Sequence, residues 1–195
     1  MTAASRGRRN GGGSIETATF SQHAPDREFQ VLFGAPGPGA GPAARTVLDR
    51  LADRGLHVVT ARSPESLRST IAAHGRAAPA SAATSVVPIG AAVLSWELFD
   101  SPGELVAVID EIQRLSAPPP VVVVSEQNSE QDLPPGLAGR TAGTFWLHAD
   151  SPHFVADQVE WLVRTYALRS QVLGALAAAS QGAEASTAAG LRTGH

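Results

Sequence analysis

Ala91 to Gln127 constrains the fold more than any other stretch. An apolar run, a helix and a second apolar run follow one another there. Ser101 reads as an N-cap, Pro102 as the first helical residue and Glu104 as the partner in a capping box. Leu105, Val108, Ile109, Ile112 and Leu115 recur at helical spacing, so the helix has one apolar face. Pro118, Pro119 and Pro120 stop it and launch Val121–Val124. Four β-branched residues without alternation suit a strand buried on both faces. Strand, crossover helix and parallel strand make the unit of an open α/β sheet.

The same pattern recurs along the chain. Phe29–Phe33 is the first expected strand, and a helix follows with Ala44, Val47, Leu48 and Leu51 inward and Gly55 as its stop. His57–Ala61 is the second strand. Ser63-Pro64-Glu65 opens a second helix, with Leu67 and Ile71 inward, ending near Gly75. Residues 76–90 read as a low-complexity link. Thr144–His148 is the fifth strand, and Ser151-Pro152 opens a last helix running to about Ser180. Five strands alternating with helices, and no hairpin signal, predict a doubly wound parallel sheet. The expected fold is flavodoxin-like, a receiver-like three-layer sandwich with strand order 2-1-3-4-5. The expected boundaries are a disordered tail over 1–27, the domain over 28–170, and a helix extension with a frayed tail over 171–195.

Composition removes several function classes. A net charge of −3 gives no case for nucleic acid or an anionic membrane. No run approaches the roughly 20 apolar residues of a membrane helix. MTAASRGRRNGGGS has basic residues without the apolar core of a secretory signal, so a cytoplasmic protein is expected. The chain lacks cysteine, and all 15 of its cationic residues are arginine. Thiol chemistry, a lysine Schiff base and a phosphate-cradling lysine are therefore absent from it.

Gly34-Ala35-Pro36-Gly37-Pro38-Gly39-Ala40-Gly41-Pro42 lies between a strand and a helix, where phosphates often bind. Its spacing departs from both common patterns. Pro42 stands where the third dinucleotide glycine belongs, and Ala40 where the P-loop lysine belongs. Three prolines also remove N–H donors, so the turn reads as a loop.

A phospho-receiver needs acids after its first strand, an aspartate after the third, a hydroxyl after the fourth and a lysine after the fifth. Here the first turn has no carboxylate. Ser95 stands at the acceptor position, Ser125 fits the hydroxyl, and His148 or Ala149 replaces the lysine. A working receiver is not expected; Asp100, a displaced acceptor candidate, reads as part of the helix start. Glu97, Glu126, Asp132 and Asp150 fall near the carboxyl edge of the sheet and read as solvated loop charges. His148 and His153 read as surface histidines, not a zinc pair. No catalytic, cofactor-binding or metal-binding residue is assigned. Trp161, Tyr166 and Trp146 are the interface candidates, with Trp96 and Trp146 also readable as strand-end core residues.

Ser125-Glu126, Asp132-Leu133-Pro134, Gly143, Trp146, Asp150, Phe154, Ala156 and Tyr166, preceded by VLSWEL and IDEIQRL, resemble the N-terminal domain of the bacterial ornithine/lysine/arginine decarboxylases. The resemblance covers about residues 29–170 and is most specific over 91–166. It implies a flavodoxin-like wing that packs against neighbouring subunits. In that family the pyridoxal phosphate and its lysine belong to a separate core, so the resemblance implies no cofactor in this chain. It implies a homo-oligomer or a decarboxylase-type partner. A degenerate receiver, binding a signalling partner without phosphorylation, is the alternative.

Overall fold

The computed structural model describes residues 29–37, 41–76, 87–128, 132 and 134–190. The elements in chain order are β1 (Gln30–Gly34), α1 (Pro42–Asp53), β2 (His57–Ala61), α2 (Pro64–Arg76), β3 (Ile89–Ser95), α3 (Pro102–Gln113), β4 (Val121–Ser125), β5 (Gly143–Trp146) and α4 (Pro152–Gly190). All strand pairs are parallel, and the sheet order is β2-β1-β3-β4-β5, as the alternation of strands and helices predicts. The tail over 1–27 and most of the link over 76–90 lie outside the described residues.

The β-branched run of β4 is explained by the layers on each side. Leu32, Ala92, Leu94, Val121 and Val123 face one core, closed by Leu67 and Ile71 of α2 and by Leu105, Ile109 and Ile112 of α3. Val31, Phe33, Val93, Val122 and Val124 face the other, closed by Val47 and Leu51 of α1 and by Val155, Val159 and Val163 of α4. Val122, Val123 and Val124 are fully buried; each stabilises the fold by about 1.5–3 kcal/mol relative to an exposed side chain. Gly55, at φ +75, takes the left-handed conformation that ends α1.

Ser101 accepts a hydrogen bond from the Glu104 backbone N–H at 3.2 Å, the expected cap of α3. The Glu104 carboxylate, however, reaches the N–H of Asp100 rather than that of Ser101, and also pairs with Arg68 of α2. The larger differences from the sequence expectation are the start of β3, the end of β5 and the end of α4. β3 starts at Ile89, two residues inside the stretch read as a link. It ends at Ser95, and Trp96–Leu98 then form a short 3-10 turn that buries Trp96 and Leu98. β5 spans only Gly143–Trp146; the N–H groups of Ala149 and Asp150 bond back to the Trp146 carbonyl and close a turn, leaving His148 outside the strand. α4 runs past Ser180 to Gly190, because its alanine-rich second half has strong helix propensity.

Candidate functional site

In a sheet of this order, ligands bind outside the carboxyl ends of the strands, where the order reverses between β1 and β3. Side chains of this chain fill that crevice. The turn Trp96–Leu98 sends its apolar residues into the core and leaves Glu97, between them, directed across the end of β4. The Glu97 carboxylate accepts from the Ser95 hydroxyl at 2.7 Å and the Ser125 hydroxyl at 2.5 Å. It also accepts from the backbone N–H groups of Glu126 and Gln127, at 2.9 and 3.2 Å. Ser125 is fully buried, and its oxygen accepts in turn from the N–H of Asn128 at 2.9 Å. Burial pushes the Glu97 carboxyl up. The Ser125 and Ser95 hydroxyls and the backbone donors outweigh that and hold it below the usual carboxylate value.

A second carboxylate closes the other half. Glu126 reaches from the end of β4 to the start of α1 and accepts from the Ala44 N–H at 2.6 Å. Negative charge at a helix N-terminus is stabilising, and this is the place a bound phosphate would take. Gly41 makes the approach possible. A Cβ there would lie 1.5 Å from a Glu126 carboxylate oxygen. The glycine-rich turn therefore serves, at Gly41, to admit the chain's own carboxylate.

Glu97 and Glu126 are thus not the solvated loop charges that their positions in the sequence suggest. Asp150 is not one either: it accepts from the Trp146 N–H at 2.7 Å and pins the turn after β5. Asp132 and Asp100 are exposed, and Asp100 belongs to the start of α3 as expected. Of the receiver positions, Ser95 and Ser125 converge on Glu97, whereas His148 is exposed on its turn. His153 is also exposed, and among the described residues no group of three or more His, Asp or Glu is placed to hold a metal.

The interface candidates separate. Trp161 is 60% exposed on α4. With Tyr166, Pro118–Pro120 and Arg140 it lines a cleft of about 490 Å³. The Tyr166 hydroxyl donates to the Ala117 carbonyl at 2.8 Å, and its ring meets Phe29 edge-on. Burial raises its pKa above the ordinary tyrosine value, against opposing effects of Ser170 and Arg169. Trp146 instead packs on Trp96, with ring centroids 6.3 Å apart, at the margin of the α2–α3 core. A second cleft, about 310 Å³, lies beside the glycine-rich turn between Arg45 and Arg62. Leu137 was missed by the sequence reading. It follows Gly136, at φ +82, and is fully buried, anchoring the segment between β4 and β5.

These features define a receiver-type, flavodoxin-like domain whose carboxyl edge is closed from within at the ends of β3 and β4, beside the open cleft at the ends of β1 and β2. The chain belongs to the Orn/Lys/Arg decarboxylase N-terminal domain family, which matches residues 40–166. It is similar in fold to lysine decarboxylase A from Pseudomonas aeruginosa, with 18% identity and a TM-score of 0.56 over 71% of this chain and 18% of that one. The chain thus spans under a fifth of that enzyme. It is also similar in fold to the signal receiver domain of a putative Luxo repressor protein from Vibrio parahaemolyticus, at 17% identity and a TM-score of 0.53, covering 74% of this chain and 97% of that one. A fusion carrying a trimeric coiled-coil segment from yeast aligns over 82% of this chain and 94% of its own length, at 18% identity and a TM-score of 0.52. No curated protein sequence matches the chain. Among the described residues no helix is long and apolar enough to cross a membrane.

Proposed function

We propose that this chain is a non-catalytic wing module that acts by assembly, with itself or with a pyridoxal-phosphate decarboxylase that supplies the core, the cofactor and the active-site lysine. The observation that carries this reading is the Glu97 carboxylate, bound to two hydroxyls and two backbone N–H groups beside Ser95, which stands where a receiver keeps its reactive aspartate. A carboxylate engaged in this way is a poor nucleophile and a poor metal ligand.

A second reading is supported by the same bonds. The Ser125 hydroxyl is engaged by a built-in carboxylate, as a receiver hydroxyl would be by an acquired phosphoryl group. A module held permanently in that arrangement would bind a signalling partner without phosphorylation.

Affinity capture on the full chain from a native lysate separates the two. The first reading expects a decarboxylase in the eluate whose activity on ornithine, lysine or arginine depends on pyridoxal phosphate. A sensor kinase or a DNA-binding protein in its place would overturn it in favour of the second.

A further inference from the structure

The closure by Glu97 and Glu126 does not extend past β1. Between α1 and the edge strand β2, the cleft beside the glycine-rich turn stays open. Strand register sets its shape. Thr60 of β2 pairs with Phe33 of β1, so both side chains point to the α1 layer. Phe33 and Ala44 belong to the core there, and Ala35 and Leu48 pack on it, which gives the cleft an apolar floor. Thr60 is exposed at the rim. Arg45, in the first turn of α1, and Arg62, just after β2, supply the charge, and among the described residues no carboxylate lines the cleft.

The fold makes no use of these two guanidinium groups. Among the described residues the ion pairs of arginine involve Arg50, Arg54, Arg68, Arg140 and Arg164. Arg45 does not pair even with Asp49, one helical turn further on. The backbone N–H of Arg62 donates to the Ser66 hydroxyl at 3.1 Å, and that of Arg45 to the Gly41 carbonyl at 3.2 Å. Both residues are therefore held by their backbones, with every side-chain donor left over. Like charges lining one cleft, in a chain of net charge −3, draw an anion to it.

The surroundings select which anion. A phosphoryl group needs a set of backbone N–H donors. The N–H groups of Ala35, Ala44 and Arg45 are already bonded, to Ala61, Glu126 and Gly41, and Pro36 has none. The Glu126 carboxylate on the Ala44 N–H also sets a negative charge beside the floor, which disfavours a dianion. A carboxylate has one charge and two oxygens, which match the guanidinium fork. The volume of about 310 Å³ is at the lower end of small-molecule sites, so the body of the ligand is one ring or a short branched chain.

We infer that the cleft between α1 and β2 binds a small apolar monocarboxylate, with Arg45 and Arg62 on its carboxylate and Phe33, Ala35 and Leu48 under its ring or branched chain. This site goes beyond the assembly reading and does not depend on it.

Two-dimensional amide NMR of the full chain, titrated with phenylacetate, reads the site directly. Saturable shifts of the Phe33, Ala35, Thr60 and Arg62 amides are expected. Benzyl alcohol has the ring without the charge, and acetate the charge without the ring; each should bind about tenfold or more weaker. Phenyl phosphate, a dianion, should also bind more weakly than phenylacetate. Arg45→Gln or Arg62→Gln, both at exposed positions, should weaken phenylacetate about tenfold or more through loss of a charge-assisted hydrogen bond, with unchanged far-UV circular dichroism. Arg62→Lys keeps the charge without the fork and should fall between. The ranking of the four probes on the unmodified chain decides the matter even if a variant folds poorly. No saturable shift, benzyl alcohol as tight as phenylacetate, or binding unchanged after both arginines are replaced would each overturn the site. Tighter binding of phenyl phosphate would overturn the carboxylate assignment. A chain that binds no carboxylate yet captures a decarboxylase would lose this inference and keep the assembly reading.

Discussion

Removing the Glu97 carboxylate tests whether it is a structural knot. Glu97→Ala leaves the N–H groups of Glu126 and Gln127 and the Ser125 hydroxyl without their shared acceptor. An orphaned donor costs about 1–3 kcal/mol. Glu97 is only partly buried, so water reaches the gap and the low end applies, giving about 2–3 kcal/mol in all. For a chain of this size that lowers Tm by about 5–10 °C. Glu97→Gln keeps an acceptor of the same shape and loses only the charge, so about 1 kcal/mol is expected. The pH dependence is the sharper test. The folded-state pKa lies below the ordinary value of 4.5. The charge therefore contributes stability above 4.5, and that contribution disappears as pH falls through the lower folded value. Urea unfolding followed by tryptophan fluorescence measures it, at pH 7 and then in steps below 4.5. The gap between wild type and Glu97→Gln should be present at pH 7 and close on acidification. A gap that stays constant, or Glu97→Ala unfolding at the wild-type urea concentration, would refute the reasoning.

Other perturbations check the surrounding account. Gly41→Ala should displace Glu126 from the start of α1 and cost about 1–2 kcal/mol. Adding Glu126→Ala should cost little more, so a double-mutant cycle reading full additivity would contradict the contact. Ser101→Ala removes the cap of α3 and should cost about 1 kcal/mol in the same urea assay. Leu137→Ala should cost about 2–4 kcal/mol, a core-sized loss from a residue outside every helix and strand. Tyr166 has a raised folded-state pKa, so its contribution is complete below about 10 and falls as pH rises through that region; Tyr166→Phe should flatten this alkaline loss.

The layers of this fold were legible because they rest on local patterns. The four valines of β4 announce a doubly covered strand, and Leu105, Val108, Ile109 and Ile112 announce the face that covers it. The site was less legible because its bonds are long-range. Glu97 meets a hydroxyl 28 positions away, and Glu126 meets an N–H 82 positions away. No spacing rule links such residues. The available signal was a glycine just before a proline-started helix, with Ser-Glu at the end of one strand and Ser-x-Glu at the end of its neighbour. The end of β5 was placed late because Leu147 is apolar and buried; the turn is set by the Asp150 carboxylate on the Trp146 N–H. Leu137 was overlooked because a single leucine among prolines and glycines has no periodicity.

The central claim is that the carboxyl edge of the sheet is closed by the chain's own carboxylates. Its most direct test is a two-dimensional amide NMR titration of the full chain with magnesium and acetyl phosphate, read alongside intact mass. The account expects the Ala44, Glu126 and Gln127 amides to stay in place and the mass to stay that of the unmodified chain. Saturable shifts confined to those amides, or the gain of one phosphoryl group at Ser95, Glu97 or Asp100, would contradict it.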